Sequence, residues 1–498
     1  IRKEKGFPNI VKSLGAIHFP ALWEEAQLAR EKFIFEELFF SQILVYLRKS
    51  KRRFRKSVAF KVNNELLDKI RTNLSFELTP SQKEALSKIL QDLEKPFPMH
   101  RLLQGDVGCG KTIVSAFAIA VCLDCGYQAA LMVPTEILAY QHKETLEQVF
   151  KGLNFRIKVV TSSLSGAKTE KIYSDLKEGK VDIIVGTHAL IQEKVKFKKM
   201  GLVVIDEQHK FGVAQRVLLP KKMSSNPHCL VMSATPIPRS LALSLYGDLD
   251  LSVIRDMPRG RKVPDNIWVK EQKRPWVYSF LKEKLEQGRQ IYVVYPVIEE
   301  NQDQDLKSLE IMYKELSKKF AAYAVGMFHG KMKPQAKLNV IEKFRKNQIN
   351  VLVSTTVVEV GVNIENATVM VIENPERFGL AQLHQLRGRI QRSNHKPYFI
   401  LISKDSLSET ASRRLEVIST VTDGFRIAEE DLLIRGPGDF FGHVQHGIPK
   451  LRIAQPLRDL DILKDARLLA YKVIKSDPYL EKREHKCIRE HLQFWFQK

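Results

Sequence analysis

HRLLQGDVGCGKTIVSAFAIAV, residues 100–121, decides how the rest of the chain is read. A short run holding Leu102 and Leu103 leads into a glycine loop, and a stretch of apolar residues, TIVSAFAIAV, follows it. That succession is strand, loop, helix. Within it, Gly105-Asp106-Val107-Gly108-Cys109-Gly110-Lys111-Thr112 fits G-x-x-x-x-G-K-[ST]. Glycines let the backbone curl until successive N–H groups point at phosphate oxygens. Lys111 would reach the β- and γ-phosphates, and the Thr112 hydroxyl would hold Mg²⁺. The helix start behind the loop adds its own positive end.

Outward from the loop, short apolar runs alternate with helical segments: QAALMVP, RIKVVTS, VDIIVGT, GLVVIDE and HCLVMSA. Runs apolar on both faces and separated by helices describe a parallel sheet covered on both sides. The stretch RDMPRGRKVP, residues 255–264, carries proline, glycine and charge and reads as a linker. After it the pattern repeats in RQIYVVYPVI, AVGMFHG, NVLVSTT, TVMVIEN and PYFILIS. The expected fold is α/β, two tandem parallel-sheet domains at residues 76–257 and 258–405. An amphipathic helical segment, 1–75, precedes them, and a helical extension, 406–498, follows. The extension is interrupted by the glycine-rich loop IRGPGDFFGHVQHG.

A phosphate loop needs a carboxylate for the metal and a group to orient water. Val203-Val204-Ile205-Asp206-Glu207 supplies both, with Asp206 toward the metal and Glu207 polarising the water. Charge that spreads over a γ-phosphate during transfer is stabilised by an arginine from a second domain. Arg389 and Arg392, three apart, are expected to share one face of a helix turned to that cleft.

Lys plus Arg number 80 against 57 acids, a net charge of +23. Such an excess favours polyanions, nucleic acid above all, although solubility reads the same excess. The basic run Lys49–Lys56 is open to the same two readings. Five cysteines in 498 residues make no disulfide framework, and the CxxC at Cys122 and Cys125 lies in an apolar helical stretch, which points to core packing in a reducing compartment. No run is long and apolar enough to span a membrane as a helix, and Ile1 in place of an initiator Met reads as a fragment.

Asp206-Glu207-Gln208-His209 is a DExH box, and the motifs around it follow the order of superfamily 2 helicases, with two RecA-like motor domains. The resemblance gives ATP as substrate and Mg²⁺ as cofactor. It makes His209, Ser233, Thr235 and Gln385 residues that couple ATP to nucleic acid. Thr135, Thr187, His188 and Thr355 would contact the DNA strand. FELTPSQ, residues 76–82, resembles the adenine-reading motif, with Gln82 on the base, while Gly361 and Asn363 would serve the nucleotide from the second domain.

DEQHKFGVAQR (206–216), SATPIPRSLALSLYGDLDLSVI (233–254) and ENPERFGLAQLHQLRGR (373–389) are similar to the RecG family of branch-migration helicases. DGFRIAEEDLLIRGPGDFFGHVQHG (423–447) resembles the translocation motif that this family shares with the transcription-repair coupling translocase, carrying Arg435 and Gln445 as DNA contacts. The resemblance implies a bacterial, cytoplasmic and nucleoid-associated monomer that migrates forks and four-way junctions, with single-strand-binding protein as a partner. It also implies that the family's N-terminal wedge domain is missing. Three departures stand out: Asn363 replaces an aspartate, Gln391 and Ser393 replace glycines, and Val444 replaces an arginine. Weakened coupling is expected from Asn363 and Gln391, and the loss of one phosphate contact from Val444. The rival readings are the coupling translocase and a degenerate motor acting as a DNA-binding scaffold.

Overall fold

The computed structural model describes residues 5–207, 226–234, 249–258, 261–296, 302–356, 364–391, 395–435, 451–455 and 458–496. Four helices come first: α1 (Ile10–His18), α2 (Trp23–Arg53), α3 (Asn64–Asn73) and α4 (Pro80–Leu93). Next come β1 (His100–Gly105), α5 (Lys111–Asp124), β2 (Gln128–Met132), α6 (Glu136–Val149), β3 (Ile157–Val160) and α7 (Gly166–Glu178). The strands β4 (Ile183–Gly186), β5 (Met200–Ile205), β6 (His228–Ser233) and β7 (Asp250–Ile254) follow. All these strands form one sheet in the order β3-β4-β2-β5-β6-β1-β7.

The order explains where chemistry can gather. Parallel pairing aligns Leu102 with Val231, Val204 with Leu230, and Leu131 with Val204. The carboxyl ends of β1, β2, β4, β5 and β6 therefore open on one side of the sheet, where ligands bind in such folds. Every residue of β2, β4, β5 and β6 is buried, so none presents a polar face to water. Cys122 is fully buried in this core, as the apolar helical reading expects, and the core also takes in Phe60, Leu66, Leu67 and Ile70.

The second half holds β8 (Asp265–Lys270), α8 (Arg274–Glu286), β9 (Gln290–Val294), α9 (Gln302–Lys319), β10 (Val325–Phe328), α10 (Pro334–Arg345) and β11 (Val351–Ser354). It continues with β12 (Ala367–Glu373), α11 (Leu380–Arg387), β13 (Tyr398–Ser403), α12 (Glu409–Thr420) and α13 (Gly424–Arg435). Its strands form a second sheet in the order β10-β11-β9-β12-β13-β8, parallel at every pairing. The two parallel sheets match the expected architecture.

Both sheets belong to one compact unit, residues 57–236 and 252–434. A second unit joins residues 1–56 with 237–251 and 435–498. It contains α1, α2, α14 (Leu460–Ser476) and α15 (Lys486–Phe496). Here the two ends of the chain share a core: Ile34, Leu38 and Ile43 of α2 pack among Leu463, Ala470 and Ile474 of α14. Nothing local in α2 predicts this partner. No described helix is long and apolar enough to cross a membrane.

Candidate functional site

The phosphate loop is held in shape from three directions. Gly108 and Gly110 adopt φ of +77° and +91°, where an L side chain is strained, and Gly110 caps the start of α5. The Lys111 ammonium donates to the carbonyls of Gly105 at 2.8 Å and Asp106 at 2.9 Å, which keeps it at the mouth of the loop. Gln82 holds the third side. Its Nε2 donates to the Cys109 carbonyl at 2.7 Å, and its Oε1 accepts from the Thr79 N–H at 2.8 Å.

Gln82 thus braces the loop from inside the protein. The residue is fully buried, and both ends of its carboxamide are engaged by protein: one closes the capping box of α4, the other props the phosphate loop. Phe76, six residues earlier and 43% exposed, is the member of that motif that lines the cavity.

A cavity of about 620 Å³ gathers expected residues from both sheets. Lys111, Thr112, Asp206 and Glu207 enter from the first sheet, and Gln385 and Arg389 from the second. Burial opposes ionisation of Asp206. Its Oδ2 lies 3.0 Å from His142 Nε2, its Oδ1 accepts from the Glu207 N–H at 3.0 Å, and Lys111 is near, so its carboxyl stays below the usual range. Glu207 behaves oppositely: burial and the adjacent Asp206 charge push it up to about 7, against Lys111 and Arg389. Its backbone is left-handed at φ +51°, an unfavourable region for glutamate, and its Oε2 accepts from the Ala234 N–H at 3.3 Å. Ser233, buried at the end of β6, stands next to that contact.

The two sheets meet directly across the loop. His384 of α11 lies 2.6 Å, Nε2 to Oδ1, from Asp106. The same Asp106 oxygen accepts from the Val107 N–H at 2.6 Å. A Cβ on Gly388 would stand 2.6 Å from Val107 Cβ, so glycine is required for this approach. The helix also stops there. It ends at Arg387, and the Arg389 N–H turns back to the Leu386 carbonyl at 2.9 Å. The helical placement expected of Arg389 is thus corrected: Arg389 reaches the cavity from the turn that follows the helix, while Arg392 lies outside the described residues. Gln391 is on the same turn, half-buried and not among the cavity's lining residues.

A second cavity of about 260 Å³ brings together Thr135, Thr187 and His188 with Pro334 and Lys337 of α10. Thr135 caps α6, accepting from the Leu138 N–H at 3.4 Å. The hydroxyls of Thr187 and of Thr355, which follows β11, are buried without a hydrogen-bond partner among the described residues. Arg435 ends α13, with its side chain outside what is described. His209, Thr235, Gly361, Asn363, Arg392, Ser393, Val444 and Gln445 lie outside the described residues.

Three further residues bear on this site, and of them only His142 lies outside the quoted motifs. His142 contacts Asp206, His384 contacts Asp106, and Arg387 is 1% exposed, donating to the carbonyls of Ile418 (2.9 Å), Val421 (2.8 Å) and Thr422 (3.0 Å).

Paired parallel sheets, with a glycine-rich loop on one and an arginine turn on the other facing a common cavity, define the two-lobed core of the helicase class. Residues 79–243 match the DEAD/DEAH box helicase family, 272–394 the helicase conserved C-terminal domain, and 421–496 the C-terminal part of domain 3 of the ATP-dependent DNA helicase RecG. The ATP-dependent DNA helicase RecG of Synechocystis sp. is 45% identical over 97% of the chain, and that of Bacillus subtilis 43% over 99%. A solved RecG bound to a three-way DNA junction superposes with a TM-score of 0.74 at 40% identity, covering 93% of this chain and 61% of that one. The chain belongs to the RecG family of ATP-dependent DNA helicases. It spans 58% of the Synechocystis relative's length and 72% of the Bacillus one's. A solved Mss116p, 17% identical with a TM-score of 0.58, shares the fold alone.

Proposed function

We propose that the chain is an ATP-driven motor that moves on duplex DNA and processes branched substrates such as forks and four-way junctions. The observation that carries this reading is the single cavity bounded by Lys111, Asp206 and Glu207 on one side and Arg389 on the other. In it Lys111 and the loop N–H groups bind the phosphates, Glu207 orients the attacking water, and Arg389 meets the charge that develops on the γ-phosphate. Phe76 is suited to cover the base, and Gln82 keeps the loop in its binding shape.

Thr112 and Asp206 offer a hydroxyl and a carboxylate on the same wall, hard oxygen donors that fit Mg²⁺. Bound there, the ion neutralises phosphate charge. Thr135, Thr187 and His188 form the strand-facing cavity, and Thr355, Arg435 and Gln445 extend the contact. Gln385, Ser233, Thr235 and His209 relay between the two sites, while Gly361, Asn363 and Arg392 complete the nucleotide pocket. The functional division follows residues 1–75, 76–257, 258–405 and 406–498. Single-strand-binding protein as a partner, a monomeric state and a place beside the nucleoid complete the proposal.

ATP turnover measured on linear, forked and four-way DNA tests the reading. Branched DNA should stimulate most; equal turnover with and without any DNA would remove the motor. The Asp106–His384 contact adds a sharper expectation. His384→Ala should cut the ratio of DNA-stimulated to basal turnover roughly tenfold, the size of an ordinary coupling energy. An unchanged ratio would mean that the contact carries nothing between the sheets.

A further inference from the structure

Arg261 lies in the stretch between β7 and β8, where proline, glycine and charge suggest only a solvated connection. The structure puts it elsewhere. Its guanidinium rests on the phosphate loop: a Cβ built on Gly108 would lie 2.6 Å from Nη2 and 2.7 Å from Cζ. Only glycine, already required there by a φ of +77°, lets an arginine lie so close to the loop backbone. Arg261 also lines the cavity that holds Lys111, Thr112 and Arg389.

The protein gives this cation little in return. Nη1 makes one long hydrogen bond, 3.4 Å to the Val107 carbonyl, and no ion pair is formed among the described residues. The carboxylate that acts on it, that of Asp106, is already engaged by His384 and the Val107 N–H. Burial depresses the pKa of Arg261, with Cys109 and Asp106 only partly opposing. A guanidinium withdrawn from water without an anion is costly, and its flat fork matches two oxygens of a phosphate. The glycine it covers belongs to the loop whose N–H groups face phosphate.

We propose that Arg261 is a phosphate ligand of the bound nucleotide, supplied by the connection between the two sheets. This rests on the nucleotide reading of the cavity. It adds to that reading a cation that no motif contains, set on the one segment that runs from one lobe to the other. Polyphosphate binding then fixes the connection as well as the loop. ADP and ATP both engage it, whereas a nucleoside monophosphate, which lacks the phosphates that the loop cradles, engages it weakly.

Calorimetric titration of the full chain without DNA tests this, using a non-hydrolysable ATP analogue, ADP and AMP. Arg261→Ala should weaken the analogue and ADP about 10- to 100-fold, the worth of one or two charge-assisted hydrogen bonds, and AMP much less. Arg261→Lys should recover part of the loss. Arg261→Met keeps the aliphatic stem and should behave like the alanine variant, so a folding defect specific to alanine leaves the Met-against-Lys comparison decisive. Thermal midpoints without nucleotide should be alike, with the ADP-induced rise shrinking in the Ala and Met variants. Wild-type ADP affinity in Arg261→Met overturns the proposal if Lys111→Ala loses affinity in the same assay. Should Lys111→Ala also bind as wild type, the nucleotide assignment of the cavity itself fails.

Discussion

Lys111→Ala is expected to abolish ATP turnover while leaving DNA affinity largely intact. Lys111 is 8% exposed, and its ammonium is pinned between the carbonyls of Gly105 and Asp106, so its position owes nothing to chance rotamers. From there it meets phosphate charge inside a partly closed cavity, where one preorganised donor is worth on the order of 10²–10³ in rate, and a full positive charge more. Removing it also frees the loop carbonyls that it ties. The DNA-facing candidates Thr135, Thr187 and His188 line a different cavity, which is why affinity for DNA should survive. Turnover within tenfold of wild type would take the phosphate site out of the account.

Arg389→Ala should lower turnover by about 10³–10⁵-fold, the usual worth of an arginine that meets the γ-phosphate from a second domain. Arg389 lines the cavity opposite Glu207 and acts on its charge. Nucleotide affinity should change far less than turnover, because the guanidinium serves charge that appears during transfer. Arg389→Lys should rescue poorly, since an ammonium cannot span two oxygens in one plane. If alanine at this position costs affinity and rate equally, the residue binds ground-state nucleotide and is no finger.

Much of this was open to reading because its signals are local. The loop from Gly105 to Thr112, the acid pair at Asp206, and runs apolar on both faces each carry their meaning within a few residues, and parallel pairing then gathers the strand ends. What escaped depends on contacts across the fold. The bracing of the phosphate loop by Gln82, through Cys109 and Thr79, joins residues that no short motif connects. Arg389 reads as part of a helix, yet the helix ends at Arg387 and leaves it on a turn. His142 sits in an ordinary amphipathic helix, and its pairing with Asp206 spans 64 residues. Arg261 is hidden for a different reason: its neighbours have the composition of a solvated turn.

The α2–α14 core has a consequence for how the protein is made. Tyr46 and Arg467, which meet in that unit at 3.1 Å, are 421 residues apart. At ordinary rates of elongation, about 5–20 residues per second, the ribosome needs roughly 20–80 s to deliver the second after the first. For that interval the nascent helix carries Ile34, Leu38 and Ile43 with no partner in reach, a standing invitation to chaperones or to aggregation. A translation arrest anywhere in the motor would strand it in that condition.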